Sequence, residues 1–382
     1  MKLDFLYLNE QDMIQAGVLD AKKCIDTMRD TMSLFGQKDY LLGGPKADEH
    51  GLQVNFPGKS DISDFPLDDG PDRRLMAMPA YLGGRFHIAG QKSYGSNNHN
   101  LQKGLPRSIL MVTLMDVETG APVAYMSANL LSAMRTGAMS ALAASYLARK
   151  DSRVLSLIGP GVINKCAFMC YMEALPNIDT VKLRGSSAAS KSALRMKEWI
   201  EQKYPRIKTI EICASLEEAC RDADVVSEAM SVTKQDMEEF HPSWFKPGAS
   251  VFSMGSFFAK KYDAFLDTTM VVDNYGMYEK YMSNFVARGP VDDLGNKREW
   301  CIMGMHFIHL VNSRKTSREK VRNLADIVNG LAPGRTSEEE IVMCSIGGMP
   351  LEDLSWGYDC WQSAKEQGIG TVLNLWDEPF MK

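Results

Sequence analysis

The 382-residue chain has no apolar run long enough to span a membrane, and its N-terminus, MKLDFLYLNEQDM, has no basic segment followed by a long apolar stretch. A membrane anchor and a secretory signal are therefore not expected, and the chain reads as a soluble, cytoplasmic protein. It also lacks any excess of positive charge. With 43 Lys and Arg against 48 Asp and Glu, the net charge of −5 gives no electrostatic case for nucleic acid. No disulfide framework or metal pattern is visible. The eight cysteines are scattered, and the nearest pair, Cys166 and Cys170, is spaced one helical turn apart, which suits core packing before a redox or metal role. His306 and His309 make an H-x2-H pair without a zincin glutamate or a neighbouring cysteine, so no metal is assigned. Internal repeats and low-complexity tracts are missing too.

What is present suits two domains with substantial cores: 45% of residues are hydrophobic and 24% charged. Residues 1–40 read as a strand, FLYL, followed by an amphipathic helix around Ala21 to Phe35. Residues 41–72 are rich in Gly, Pro and Asp and too long for an ordinary connection, so they read as a functional loop or lid with short strands. Stretches 76–80, 86–93 and 108–116 look like strands of an antiparallel sheet, with Glu118-Thr-Gly120 as a hairpin turn. From Ser127 the pattern changes to helices alternating with strands at 154–158, 180–183, 208–212, 224–227, 250–254 and 270–273. That alternation predicts an α/β fold with a Rossmann-type doubly wound sheet. A helical insertion is expected near 292–325. The division predicted is residues 1–130 with 340–382 as a discontinuous α+β domain, and 131–339 as the doubly wound domain. Of 25 methionines, Met111, Met115, Met126, Met134 and Met139 cluster near the first long helix, as core filling or as the lining of an adaptable pocket.

The most informative stretch runs from Ala128 to Ala167. An Arg135-Thr136 pair sits in the first turn of an Ala-rich helix beginning near Ser132; an apolar strand, 154–158, then leads to Gly159-Pro160-Gly161 and a second helix from Val162. Gly159 permits the tight bend and Gly161 a close backbone approach, while the helix start at Val162 and Ile163 offers free N–H groups to a pyrophosphate. Pro160 removes one N–H, and Asn164 stands where the general fingerprint has a small residue. A bland Gly-Pro turn remains the alternative, but the strand at 180–183 completes a β-α-β unit. At the end of that strand, where a carboxylate would bind a ribose 2′-hydroxyl, the chain has Arg184, Gly185, Ser186 and Ser187. A cation with two hydroxyls suits a 2′-phosphate, so NADP(H) is favoured over NAD(H), unless Arg184 merely faces water.

The runs LLSAMRTGAMSALAASYLAR, the G-x-G turn, KPGASVFSMGS at 246–256 and LAPGRTSEEEIVMCSIGGMPLEDLSWG near the C-terminus, in this order, resemble the ornithine cyclodeaminase/mu-crystallin family from about Met76 to Gly370. The resemblance implies hydride exchange between a nicotinamide and an amino-acid carbon, in a homodimer built through sheet pairing of the discontinuous domain. The strands at 86–92 and 108–115 are compatible with that pairing. It also implies a substrate-carboxylate anchor at Arg135, beside the pyrophosphate, and a substrate-binding and proton-transfer role for Lys92. Lys46 stands where many members have an arginine clamp. Thr136, Ala229, Met230, Ser231, Met254 and Gly255 are expected at the cofactor with the residues of the glycine turn.

One departure bears on the reaction. The cyclodeaminases carry an Asp after the KPG strand, and this chain has Phe257 there with Phe258 beside it. Phenylalanine cannot accept a proton, so the two rings either wall a water-free substrate pocket or pack a core. Asp263 and Asp273 are possible substitutes. The reading that results is an NAD(P)-dependent oxidoreductase acting on the C–N bond of an amino or imino acid, as an imine or ketimine reductase or an opine-type dehydrogenase of amino-acid metabolism. The alternatives are a cyclodeaminase that releases ammonia and recycles its cofactor, and an NADP(H)-dependent binding protein of the mu-crystallin type.

Overall fold

The computed structural model describes residues 1–68, 73–231, 238–260, 262–289 and 302–381. These form two units, one from residues 1–135 and 349–381, the other from 136–289 and 302–348. No helix among the described residues is long and apolar enough to cross a membrane.

In chain order the first unit supplies β1 (Leu3–Leu8), α1 (Glu10–Gln15), α2 (Ala21–Gln37), β2 (Tyr40–Leu42), β3 (Leu52–Asn55), β4 (Arg74–Leu82), β5 (Ile88–Ser96), β6 (Ser108–Met115) and β7 (Pro122–Ser127). The helix α3 (Asn129–Leu147) then carries the chain into the second unit, with the division falling after Arg135. There follow β8 (Val154–Ile158), α4 (Val162–Ala174), β9 (Thr180–Arg184), α5 (Lys191–Lys203), β10 (Thr209–Ile212), α6 (Leu216–Cys220), β11 (Val225–Glu228), β12 (Ser250–Ser253), β13 (Thr269–Val272), α7 (Tyr275–Ala287), α8 (Met303–Asn312), β14 (Val321–Asn323), α9 (Leu324–Val328) and β15 (Val342–Ser345). The chain returns to the first unit with α10 (Pro350–Gln367) and β16 (Thr371–Trp376).

The first unit's sheet runs β16-β1-β7-β6-β5-β4-β2, with β3 also paired to β4, and β1–β7 is the parallel pair in it. Period-two alternation sends Ile88, Gly90 and Lys92 of β5 to the face covered by α10. Lys92 shares a cross-strand row with Met78, Val112 and Met126, all buried apolar side chains. Gly357 of α10 lets the helix lie close on this row, since a Cβ there would stand 3.2 Å from the Met126 sulfur. β5 and β6 are interior strands, so neither offers a free edge for pairing a second copy, as the sequence suggested; β16 does.

The second unit's sheet is parallel throughout, in the order β10-β9-β8-β11-β12-β15-β13-β14. Its six expected strands are present. Two more were not anticipated. β14 lies inside the stretch read as a helical insertion, of which residues 292–301 fall outside the described residues and the remainder belongs to the sheet and its helices. β15 sits between β12 and β13, so the return to the first unit comes at Met349, not near residue 340. The strand order reverses between β8 and β11, and at such a switch point the carboxyl ends of parallel strands leave a crevice for a ligand.

Candidate functional sites in the two units

The first unit encloses a cluster of buried charges. Lys92 Nζ donates to Ser132 Oγ at 2.8 Å and to Asp353 Oδ2 at 3.2 Å. Arg135 pairs with Glu352 at 2.6 Å and with Asp353 at 3.1 Å. All four charged side chains are almost wholly buried, and two positive against two negative charges are what make that burial tolerable. Burial pushes the Lys92 ammonium down to about 8, against the pull of Asp353, which favours the charged form. Burial alone would raise the Asp353 carboxyl; Arg135 and Lys92 outweigh it and hold the carboxyl below its ordinary value. The imidazole of His50 is pushed down to about 3 by burial and by the charges of Lys92 and Arg135, so it is neutral. Among the described residues the buried Nε–H of Arg135 meets no hydrogen-bond partner.

This arrangement revises the local reading of Arg135. The helix α3 starts at Asn129, whose amide bonds the β6 backbone at Leu110 N and Ser108 O, so Arg135 lies in the second turn and not at a helix start. Ser132, which resembles a cap in the sequence, gives its oxygen to the two cations instead. Lys46 lies exposed in the turn at residues 44–47. Glu352 and Asp353 were inside a recognised motif but unassigned; two acids just after Pro350, opening a helix, were the available signal. His50 gave none.

The second unit holds a cleft of about 700 Å³ at the switch point, lined by Gly159, Pro160, Gly161, Arg184, Gly185, Ser186, Ser192, Ala229, Met230, Ser231 and Glu238. Gly159 has φ +79°, and a Cβ there would strike the Ala229 carbonyl oxygen at 2.8 Å. Gly161 is the N-cap of α4 and makes no side-chain cap bond; a Cβ on it would enter open space. Val162, more than half exposed, and Ile163 begin that uncapped helix. Two glycines that leave room beneath the free N–H groups of a helix start fit a pyrophosphate. Asn164 departs from the small-residue rule with a reason: its amide donates to the carbonyls of Ile158, Gly159 and Ser227 at 2.8, 3.0 and 3.3 Å, and accepts from Ser227 Oγ at 2.7 Å. It ties β8 to β11 across the reversal. Close packing is supplied by Gly137 of α3, where a Cβ would meet Ala167 N of α4 at 2.4 Å.

The other walls are held by Glu228, the buried last residue of β11. Its carboxylate accepts from Met230 N (2.6 Å), Ser256 N (3.0 Å) and Ser253 Oγ (2.7 Å), fixing the turns that carry Ala229 to Ser231 and Met254 to Gly255. Burial pushes its carboxyl up to about 7. Thr136 is buried on α3. Arg184 is also buried and donates from Nη2 to both Glu238 oxygens, at 3.1 and 3.2 Å, and from Nη1 to the Gly185 carbonyl. The sequence therefore misled at this point: no carboxylate is near Arg184 in the chain, yet one is near it in space. Ser186 and Ser187 lie exposed.

Phe257 is fully buried, stacked on Phe240 at 4.2 Å and 10° between planes, with Phe265 at 5.8 Å and the His306 imidazole donating to its carbonyl at 3.0 Å. Phe258 is buried as well, and its carbonyl accepts from Phe240 N at 2.8 Å. Both therefore pack the interior of the second unit and do not wall an open pocket. Asp263 is exposed and paired with Lys315, while Asp273 is buried and accepts from Gly347 and Gly348 N–H, both at 2.8 Å. Neither replaces the missing acid. Cys166 and Cys170 are buried, with the Cys166 thiol pushed up to about 12 by burial.

A doubly wound parallel sheet with an open glycine turn at its reversal defines the class: an oxidoreductase that uses a nicotinamide dinucleotide. The family model for the ornithine cyclodeaminase/mu-crystallin family matches residues 20–368. A Staphylococcus aureus N-((2S)-2-amino-2-carboxyethyl)-L-glutamate dehydrogenase is 29% identical over 379 residues, 98% of this chain and 100% of its own. The Thermococcus litoralis Δ1-pyrroline-2-carboxylate reductase, solved with NADH and L-proline, superposes with a TM-score of 0.76 at 22% identity, covering 96% of this chain and 99% of its own. An archaeal alanine dehydrogenase dimer with bound NAD gives 0.74 at 22% identity, over 98% and 100%. The chain belongs to the ornithine cyclodeaminase/mu-crystallin family.

Proposed function

We propose that this chain is an NAD(P)-dependent oxidoreductase that acts at the C–N bond of an amino or imino acid, reducing an imine or joining a keto acid to an amine. The observation that carries the reading is Lys92, an ammonium in the core register of a strand, held by Asp353 and Ser132 and poised near pH 8. Such a group both attracts a carboxylate and gives up a proton near neutrality. A reduced nicotinamide, when bound, would supply the hydride for the imine carbon. Lys92 protonates the imine nitrogen, directly or through one water, and the unused Nε–H of Arg135 anchors the substrate carboxylate. Glu352 and Asp353 act as positioning residues that keep both cations in place. The S. aureus relative, matched end to end, acts on a compound whose two amino-acid parts share a secondary amine, which supports the opine-type form of the reading.

Phe257 argues against the cyclodeaminase alternative, because the place of the expected acid is a buried aromatic stack. The cofactor is a nicotinamide dinucleotide. Its finer assignment as NADP(H) rested on Arg184, Ser186 and Ser187, and Arg184 is engaged by Glu238. We also propose a cytoplasmic homodimer, supported by the exposed apolar side chains of the edge strand β16. The test is a screen of NADH and NADPH oxidation against α-keto acids, with and without amines, and against cyclic imines. Turnover supports the reading. Ammonia release from ornithine without net cofactor consumption overturns it in favour of a cyclodeaminase, and dinucleotide binding with no turnover overturns it in favour of a binding protein.

A further inference from the structure

We infer that Glu238, and not any residue at the end of β9, is the carboxylate that recognises the adenosine ribose, and that Arg184 holds it there so that the site takes NAD(H) and rejects NADP(H). The inference rests on the dinucleotide reading of the cleft and names its ligand.

In a doubly wound sheet the ribose next to adenine meets the end of the strand that follows the glycine turn and its helix, here Arg184 and Gly185. Both line the cleft, and so does Glu238, 54 residues further along the chain. Arg184 is buried to 95% and does not reach into solvent as a free cation: one Nη bonds both Glu238 oxygens and the other the Gly185 carbonyl. Glu238, by contrast, is half-exposed toward the cleft, with its carboxylate oriented from behind by the guanidinium. A carboxylate held in this way accepts two hydroxyl donors from a ribose diol. A 2′-phosphate brings roughly two negative charges to the same place, where the Arg184 charge is already balanced by Glu238.

The segment that carries Glu238 is anchored as a specificity element requires. Lys260 N donates to Glu239 at 2.9 Å, Phe240 N donates to the Phe258 carbonyl at 2.8 Å, and the Phe240 ring stacks on Phe257. Phe257, in the place of the cyclodeaminase acid, and its neighbour Phe258 thus have a structural use in fixing the approach to Glu238.

The test measures binding of NADH and of NADPH separately, by nicotinamide fluorescence, to the full chain and to Glu238→Gln and Glu238→Lys variants whose unfolding midpoints match the parent. The parent is expected to bind NADH at least about tenfold more tightly than NADPH. Glu238→Gln should close that gap, and Glu238→Lys should invert it. A parent that prefers NADPH, or a ratio unmoved by both variants, overturns the assignment of Glu238 while leaving the dinucleotide site intact. Binding of neither dinucleotide by the parent overturns the site itself, and the assignment with it.

Discussion

Lys92 occupies a register position that its cross-strand neighbours fill with methionine and valine, and the ammonium is accommodated there because Asp353 and Ser132 close over it. Removing Asp353 would take the paired carboxylate from Lys92 and leave both buried cations to share Glu352. Asp353→Ala is therefore expected to lower unfolding stability by about 3–5 kcal/mol in urea titrations, and a loss within error of zero would show that the cluster is hydrated. Catalysis should follow the lysine's own titration. On the proposal that the Lys92 ammonium is the proton donor, imine reduction should fall as pH rises through about 8, and Lys92→Met should lose about 100-fold or more in kcat with dinucleotide binding retained. A flat profile between about pH 7 and 9 would remove Lys92 from proton transfer. The sequence made Lys92 and Arg135 legible through intact motifs. It did not reveal their counter-ions, because nothing local ties Arg135 to Glu352, 217 residues away, or Lys92 to Asp353, 261 away. Arg184 failed for the same reason, with its partner 54 residues distant.

Among the elements, β8, the glycine turn and α4 were readable from pattern alone, as were the six strands that alternate with helices. Apolar runs of strand length bounded by turn residues are a local signal. β14 has only three residues, directly before α9, too few to show a period, while β15, as long as β11 to β13, lies in the segment read as the return to the first domain. The start of α3 was misplaced by one turn because Ser132 has the chemistry of a cap, while Asn129 spends its amide on β6. Asn164 looked like a defect in the fingerprint and is instead a bridge between β8 and β11. Asn164→Ala would leave the Ile158 carbonyl and the Ser227 hydroxyl without their buried partner. A loss of about 1–3 kcal/mol in unfolding stability is expected, together with weaker dinucleotide binding. Unchanged binding would separate the bridge from the shape of the turn.

For the whole molecule, the sequence reading divides the chain near residues 130 and 340, whereas the two units divide after Arg135 and at Met349, once β15 has completed the parallel sheet. The β16 edge exposes Val372, Leu373, Leu375 and Trp376, an open strand with an apolar surface that an isolated chain does not normally leave uncovered. Light scattering should give twice the 42.6 kDa chain mass, and Val372→Lys should move the population toward the single chain. A monomer at all concentrations would leave that edge without a function. Glu228 has a further consequence, for the molecule's exchange of protons with its surroundings. Its carboxyl, poised near 7, sits behind backbone amides of the cleft wall, so an anion bound there makes a second negative charge less favourable and draws a proton onto it. Near neutrality, loading the cleft is then an alkalinising event: the heat of binding should vary with the ionisation enthalpy of the buffer, and Glu228→Gln should abolish that dependence.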